Sequence, residues 1–490
     1  MSPRVTINRL ATGVPGLDVV LAGGLPEFSF NLIAGPPGSG KTTLAHQMMF
    51  ALASAERPAI YFTVLGEPSL KMLRYQQQFE FFDADAINRH VRFINLSDEA
   101  IGGDLELVLS RIVSEVQKAG PGLVFVDSFR SVMMASAGEG SSVNELQAFV
   151  QQLGVQMTSW QATTFLIGEY FSESDSNPVF TVADGIFWLR QSVERNSMVR
   201  KLEIMKMRGQ ATLPGLHTFR IGPRGVTVFA AAPPPVETSP RVAPSRLPMG
   251  VPHLDEMMGG GLPNGYSLLV AGPSGSGKSI LANAFLAEGA LHGEHGVMAS
   301  FEQHPTRMRS PALTHLVEAG RVSIIDSRAP DLSIDEILLL IITEIRATGA
   351  RRVVIDSLSG FELALAPTFR NDFRETLARM VSSLAAERVT VLMTSELEDR
   401  YSDLRFSPYG TAFMTDAIIV QRYIEVDSRL RRMMAVVKLR GSEHSDELRE
   451  FTIVDGTIAI GNMLTDQEGL LGGRPTRKRA VPVVSGANDV

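Results

Sequence analysis

The chain has 490 residues, a formal net charge of −7 and a sequence pI of about 5.8; apolar residues make up 44% and charged residues 20%, and cysteine is absent. That length exceeds one hydrophobic core and predicts two domains. The acidic balance argues against a dedicated nucleic-acid binder, and the missing cysteines exclude disulfides and thiolate metal sites.

No apolar run reaches the roughly 18–20 residues that a membrane span requires. The longest, EILLLIITEI at 336–345, is read as a buried helix. The first residues, MSPRVTINRL, carry no apolar signal core, so a cytoplasmic location is expected.

In chain order, residues 12–26 read TGVPGLDVVLAGGLP, and an apolar strand-like run, FNLIA, leads into GPPGSGKT at 35–42. A helix-like stretch, TLAHQMMFALAS, follows. The pattern G-x-x-x-x-G-K-[ST] between a strand and a helix is a phosphate cradle. Its glycines let backbone N–H groups approach phosphate oxygens, and the helix N-terminus adds favourable partial charge. The candidates are Gly35, Pro36, Pro37, Gly38, Ser39, Gly40, Lys41, Thr42 and Thr43, with Lys41 reaching the terminal phosphates and Thr42 serving Mg²⁺.

The next strand, AIYFTVLGEP, ends near Leu65, Gly66 and Glu67. Hydrolysis needs a carboxylate to orient or deprotonate water. Glu67 either reaches the site on a shifted backbone, helped by Gly66, or is a surface residue before a proline turn; both readings stand. LVFVDS at 123–128 places Asp127 at the C-terminal end of a buried strand, where it is expected to hold Mg²⁺ partly through water. LEIMKMRG at 202–209 puts Lys206 and Arg208 on one face of a strand.

Residues 231–248 are proline-rich and read as a semi-rigid linker between a first domain, 1–230, and a second, 249–460. The second domain repeats the first: MGVPHLDEMMGGGLP at 249–263, SLLVA, GPSGSGKS at 272–279, then ILANAFLAEGAL. Its cradle comprises Gly272, Pro273, Ser274, Gly275, Ser276, Gly277, Lys278, Ser279 and Ile280. The following strand offers Glu302, RVVIDS at 352–357 offers Asp356, and AVVKLRG offers Lys438 and Arg440. Identical order and near-identical spacing mark a duplication of a domain of about 230 residues, too long for a solenoid repeat. Strands alternating with helices predict α/β domains with largely parallel, covered sheets. Residues 461–490 read as a flexible tail, whose basic run RPTRKR is more simply a solvated stretch than a docking patch.

Two cations in register in both halves suggest phosphate ligands, and if they lie far from their own loop they act on a neighbouring subunit's nucleotide, which requires a ring or filament. The paired methionines are expected in the core, Trp160 and Trp188 in packing, and the histidines show no metal-ligand spacing.

These motifs together resemble the KaiC family of RecA/RadA-like P-loop ATPases, over roughly residues 4–460. The resemblance rests on TGVPGLDVVLAGGLP with its second copy, the paired phosphate loops, VIDSLSGFELAL and VVKLRGSEHSDELREFTI. It implies two tandem RecA-like domains binding ATP and Mg²⁺, a double-ring homohexamer with nucleotide between subunits, and KaiB-like or other signalling partners. It makes Lys206, Arg208, Lys438 and Arg440 the trans phosphate ligands, and Glu302 the base of the second site. The family's first domain is a slow ATPase and its second autophosphorylates a Ser-Thr pair.

This chain departs from the pattern in three places. Leu65 and Gly66 stand where the family's first domain has two glutamates, and Gln303 follows Glu302 where the second domain has another. Ala412 and Phe413 occupy the phospho-acceptor positions, leaving only Thr411 and Ser407 as nearby hydroxyls. The sequence after Gly461 differs from the segment that binds a KaiA-type partner, which argues against one here. The expected function is therefore a KaiC-like signalling or timing ATPase. A clock-type Ser/Thr autokinase and a RadA-like DNA-directed ATPase are the alternatives. The second half carries the better-placed glutamate, although the family's division of labour assigns steady hydrolysis to the first.

Overall fold

The computed structural model describes residues 7–64, 69–101, 105–128, 143–171, 178–194, 197–231, 245–301, 310–326, 332–365, 367–370, 373–397, 413–426, 428–463, 467–468 and 476–477. The chain divides into two compact units, Met1–Ala232 and Pro233–Val490.

The first unit is built on β1 (Phe30–Gly35), β2 (Ala59–Thr63), β3 (Val91–Asn95), β4 (Leu123–Asp127), β5 (Thr163–Glu169), β6 (Gly185–Glu194), β7 (Ser197–Met207), β8 (His217–Gly222) and β9 (Gly225–Phe229). They form one sheet in the order β9-β8-β7-β6-β1-β5-β4-β2-β3. The six strands from β6 to β3 run parallel, and β7, β8 and β9 extend that edge by antiparallel pairing. The second unit repeats this with β10 (Ser267–Gly272), β11 (Gly296–Ser300), β12 (Val322–Asp326), β13 (Arg352–Asp356), β14 (Thr390–Glu396), β15 (Ala417–Val426), β16 (Arg429–Leu439), β17 (Arg449–Val454) and β18 (Thr457–Met463). Their order is β12-β11-β13-β14-β10-β15-β16-β17-β18. Both units have the RecA-like arrangement.

Every residue of β1, β2, β4, β10, β11 and β13 is buried. That explains their unbroken apolar runs, since a parallel sheet covered on both faces has no solvent side to demand alternation. In the first unit one face packs Ile33, Leu44, Met48, Phe125 and Phe187, and the other packs Leu32, Val124, Leu153, Ile186 and Trp188. Of the methionine pairs, Met48, Met49, Met257, Met258, Met433 and Met434 are buried, and the pair at 133–134 lies outside the described residues. Trp160 packs at the edge of the Leu153 cluster.

The repeated opening motif has a structural cause. Asp18 Oδ1 accepts hydrogen bonds from the Thr12 backbone N–H at 2.9 Å and the Thr12 hydroxyl at 2.7 Å, closing the turn. Gly13 has φ +70, and a Cβ there would lie 2.1 Å from Ala51 Cβ on the helix α1 (Lys41–Leu52). The turn therefore lies directly against the helix that follows the phosphate loop. In the second unit Asp255 holds the Met249 N–H at 2.7 Å, and methionine supplies no hydroxyl. Arg246–Leu247 already pairs with Leu262–Pro263, and Pro248 accepts a 2.7 Å bond from the buried Arg352. Arg246, Leu247 and Pro248, within the stretch read from sequence as linker, are thus bonded to the second unit. Gln467–Glu468 pairs with Thr476–Arg477 inside the stretch read as tail.

One expectation is corrected. The run at 336–345 belongs to a helix, Ile334–Thr348, that is amphipathic rather than wholly buried. Ile337, Ile341 and Ile345 face the core, whereas Leu339 and Leu340 are nearly half exposed. The helix covers one sheet face, so only one stripe is buried.

Both units carry a register shift at the same place, and the second has another between β17 and β18, at Arg449 and Phe451. Ile186 pairs with Lys206 but Phe187 with Ile204, leaving Met205 as an extra residue. Ile418 pairs with Lys438 but Ile419 with Val436, leaving Val437 extra.

Burial raises the Asp255 carboxyl to about 6, helped by the Glu288 carboxylate and opposed by the Met249 N–H and Arg352. A carboxyl that holds its proton more tightly when folded favours folding at low pH. That advantage is lost as pH rises from the ordinary carboxyl value through about 6. Asp255→Asn keeps an acceptor for the turn and removes the titration. Chemical denaturation across pH 4–7 should show the variant gaining stability relative to wild type over that window; parallel curves would count against the assignment.

Candidate functional site

Each phosphate loop joins the C-terminal end of a central strand to a helix, β1 to α1 and β10 to α2 (Lys278–Leu291). The residue before each helix is a glycine in the left-handed region, Gly40 at φ 100 and Gly277 at φ 109. Any side chain there is strained. Neither helix has a side-chain cap, so the N–H groups of its first turn are left to face the loop.

Lys41 is only 7% exposed, and its Nζ donates to the Pro36 carbonyl at 2.8 Å. Lys278 Nζ donates to the carbonyls of Gly272 and Pro273 at 2.9 and 2.8 Å. Burial lowers the pKa of both ammonium groups. In the first unit Glu169 and then Asp127 oppose the shift, and in the second Glu396 and then Asp356. The hydroxyl of Thr42 donates to Asp127 Oδ2 at 2.9 Å, so loop, lysine and strand-end carboxylate meet in one place. Asp127 and Asp356 are 6% and 5% exposed. Burial raises the Asp127 carboxyl, and hydrogen bonds from Tyr61 and Thr42 together with the charge of Lys41 pull it back down.

These residues fit a magnesium nucleotide. The buried ammonium is held by loop carbonyls, neutral acceptors that anionic phosphate oxygens outmatch. Ser39 Oγ is buried and has no hydrogen-bond partner among the described residues. The Thr42 hydroxyl and the Asp127 carboxylate already sit within hydrogen-bond distance of one another, as inner and outer ligands of one cation would.

The paired cations lie elsewhere. Lys206 pairs with Ile186, beside the N-terminal end of β1, and the loop leaves from the C-terminal end of that strand. Lys206 Nζ donates to the carbonyls of Phe180 and Thr181 at 3.2 and 3.1 Å, and Arg208 bridges to Asp184 at 3.0 Å. Lys438 Nζ donates to the Thr415 carbonyl at 2.5 Å, and Arg440 to the Phe413 carbonyl at 2.6 Å and Asp416 at 3.5 Å. Each pair thus gathers at the end of its sheet remote from its own phosphate loop. Burial lowers the pKa of Lys206 and Lys438, and the neighbouring arginine lowers it further.

Glu67, Glu302, Ser407, Thr411 and Ala412 lie outside the described residues. Phe413 is about half exposed, with the Arg374 guanidinium 4.7 Å from its ring centroid. His292 Nδ1 lies 2.9 Å from the Glu288 carbonyl and His295 Nε2 3.0 Å from the Ser323 hydroxyl; among the described residues no group of three or more acidic, histidine or cysteine side chains is placed to hold a metal.

Sequence reasoning missed two pairs of residues. Glu169 lies beside Gly35 and Glu396 beside Gly272 in the parallel register, bringing a carboxylate next to each loop. The signal was present, because TTFLIGE and TVLMTSE end alike at matched positions. The second pair is Tyr61 and Thr394, hydroxyl donors to Asp127 and Asp356, which share neither residue type nor strand.

The family model described as "ATPase: KaiC" matches residues 10–232 and again residues 247–465. Among curated relatives, a circadian clock oscillator protein KaiC from Picosynechococcus sp. is 26% identical over 485 residues, covering 96% of this chain and 93% of the relative. Another from Prochlorococcus marinus strain MIT 9313 is 26% identical over 490 residues, covering 97% of each. One from Parathermosynechococcus lividus is 26% identical over 485 residues, covering 96% and 88%.

Gly40→Ala and Gly277→Ala each place a Cβ in the left-handed region, at a cost of about 1–2 kcal/mol. Each should also weaken nucleotide binding at its own loop. Denaturation midpoints and binding stoichiometry with an ATP analogue check both effects; a Gly277→Ala chain with unchanged stability and two full sites would contradict the loop geometry.

Proposed function

The chain belongs to the KaiC family of ATPases and is a KaiC-like ATP-binding protein; from that premise we propose that it is a homohexameric, Mg²⁺-dependent ATPase that works as a cytoplasmic signalling or timing protein. The observation that carries this is the convergence, in both units, of a phosphate loop, its lysine and a buried strand-end aspartate.

Bound MgATP supplies the transferable γ-phosphoryl group and the cation that neutralises its charge. Lys41 and Lys278 hold the terminal phosphates. Thr42 and Ser279 give their hydroxyl oxygens to Mg²⁺, and Asp127 and Asp356 order its water shell. Glu302 orients and deprotonates the attacking water in the second site. Glu67, displaced by two positions relative to it, serves a slower first site or none. Lys206, Arg208, Lys438 and Arg440 act on a neighbour's nucleotide. Their position remote from their own loops supports that role, and a head-to-tail interface repeated around a closed ring supplies the neighbour.

The relatives are named as clock oscillator proteins, which supports an output read by protein partners of a KaiB-like or similar kind. Clock-type autophosphorylation is disfavoured, because Ala412 and Phe413 carry no hydroxyl. A DNA-directed motor is disfavoured by the acidic balance.

Steady-state ATPase of wild type, Glu67→Gln and Glu302→Gln, each checked for assembly by light scattering, tests the assignment. Glu302→Gln should lower turnover by about 100-fold or more at its own site, as loss of a general base does, while Glu67→Gln changes the total little. The reverse pattern would move the working site to the first unit. Full turnover by a Lys41→Ala/Lys278→Ala chain would sink the proposal altogether. Arg440→Ala should leave nucleotide bound but slow its hydrolysis, and only in assembled rings.

A further inference from the structure

A buried carboxylate must be met by hydrogen-bond donors, and the two units solve this differently. In the first, the Tyr61 hydroxyl on β2 donates to Asp127 Oδ2 at 2.7 Å, the oxygen that also accepts from Thr42. The Tyr61 ring is fully buried, with Phe125 stacked at 5.8 Å on one side and His46 at 4.6 Å. Burial and the adjacent carboxylate raise its pKa well above the ordinary tyrosine value, so the phenol stays a donor.

In the second unit the position of Tyr61 in β11 belongs to Met298, since Thr63 pairs with Asp127 as Ser300 pairs with Asp356. Methionine cannot donate. There the Asp356 carboxylate accepts from the buried Thr394 hydroxyl on β14, the strand on its other side. The matching position in the first unit pairs with Asp127 and is Ile167, which also cannot donate. So Tyr61 with Ile167 in one unit corresponds to Met298 with Thr394 in the other: each aspartate keeps one donor from a neighbouring strand, and the two units take it from opposite neighbours of the aspartate strand.

We propose that Tyr61 and Thr394 are the positioning residues of the two metal-nucleotide sites, each aiming its own strand-end aspartate, and that the units have exchanged the strand that supplies the donor. Tyr61 ties Asp127 to β2, the strand whose sequence runs on to Glu67. Thr394 ties Asp356 to β14, which lies directly against the loop strand β10 and ends at Glu396. The two sites therefore take the orientation of their metal-directed carboxylate from different parts of the sheet.

This rests on the loops binding Mg-nucleotide as proposed above. The test is Mg²⁺ titration of the full-length chain with an ATP analogue carrying a ribose fluorophore. Lys278→Ala isolates the first site and Lys41→Ala the second. Loss of an outer-sphere partner weakens metal binding by about 10- to 100-fold. Tyr61→Phe should therefore raise the Mg²⁺ midpoint by about that factor in the first site and leave the second unchanged. Thr394→Val should do the converse, with Thr394→Ser keeping the wild-type value. Adding Ile167→Thr to Tyr61→Phe should restore the first site by moving the donor to the other strand. Unchanged midpoints in a Tyr61→Phe chain that melts like wild type would overturn the inference. If Tyr61→Phe does not fold, equal midpoints for Thr394→Val and Thr394→Ser overturn it instead. An isolated-site chain that binds no analogue at any Mg²⁺ concentration overturns the underlying assignment as well.

Discussion

A lysine ammonium drawn out of water at the end of a covered sheet, buried in the first half and partly buried in the second, sets the terms for each half of this molecule. Removing such a charge from water is costly unless anionic or strongly polar oxygen replaces the water. Loop carbonyls hold Lys41 and Lys278 at hydrogen-bond distance, while the nearest opposing charges come from strand ends. The sheet order follows from this need. The loop strand must be central, and its parallel neighbours on one side must end at the same level with carboxylates, Glu169 then Asp127 and Glu396 then Asp356. A left-handed glycine before the helix is the remaining condition, because only there does the chain turn sharply enough to offer backbone N–H groups to a ligand.

Much of this was legible in the sequence, for a specific reason. A phosphate loop is contiguous, and its glycines, lysine and hydroxyl stand at fixed offsets whatever the rest of the fold does. Asp127 and Asp356 were legible because an apolar run ending in Asp recurs in both halves. The placement of Lys206 and Arg208 was only half legible. Their spacing announced a shared face, but their distance from the loop is a matter of strand order and direction. Tyr61 and Thr394 were not legible at all. Their partners lie across the sheet, and comparing the halves hides them, since duplication highlights what both copies share. The motif TGVPGLD was visible as a repeat long before its cause, Asp18 closing a turn onto Thr12, could be known. The run at 336–345 misled because apolar density does not reveal how many of a helix's faces are covered.

The two units thus keep one frame and vary what leans on it. Asn283 replaces His46 on the helix that follows the loop, Met249 replaces the hydroxyl of Thr12, and the donor to the aspartate changes strand. None of these alters the sheet order. They alter how firmly individual polar groups are held, which is where two copies of one nucleotide site can drift apart in rate without drifting apart in shape.

The extra residues Met205 and Val437 show how a single position governs a distant partner. By strict alternation, Lys206 would continue the series of Leu202 and Ile204, whose side chains join the core on the loop-helix face. The register shift breaks that parity, and Lys206 instead shares a face with Ile186, which belongs to the opposite core. The same holds for Lys438, turned from the face of Met434 and Val436 to that of Ile418. A one-residue insertion, neutral in most loops, here acts as an address: it decides on which surface of the molecule a pair of cations is delivered. Length variation in this strand is therefore not a trim of an edge but a change of destination, and both copies have kept the same count.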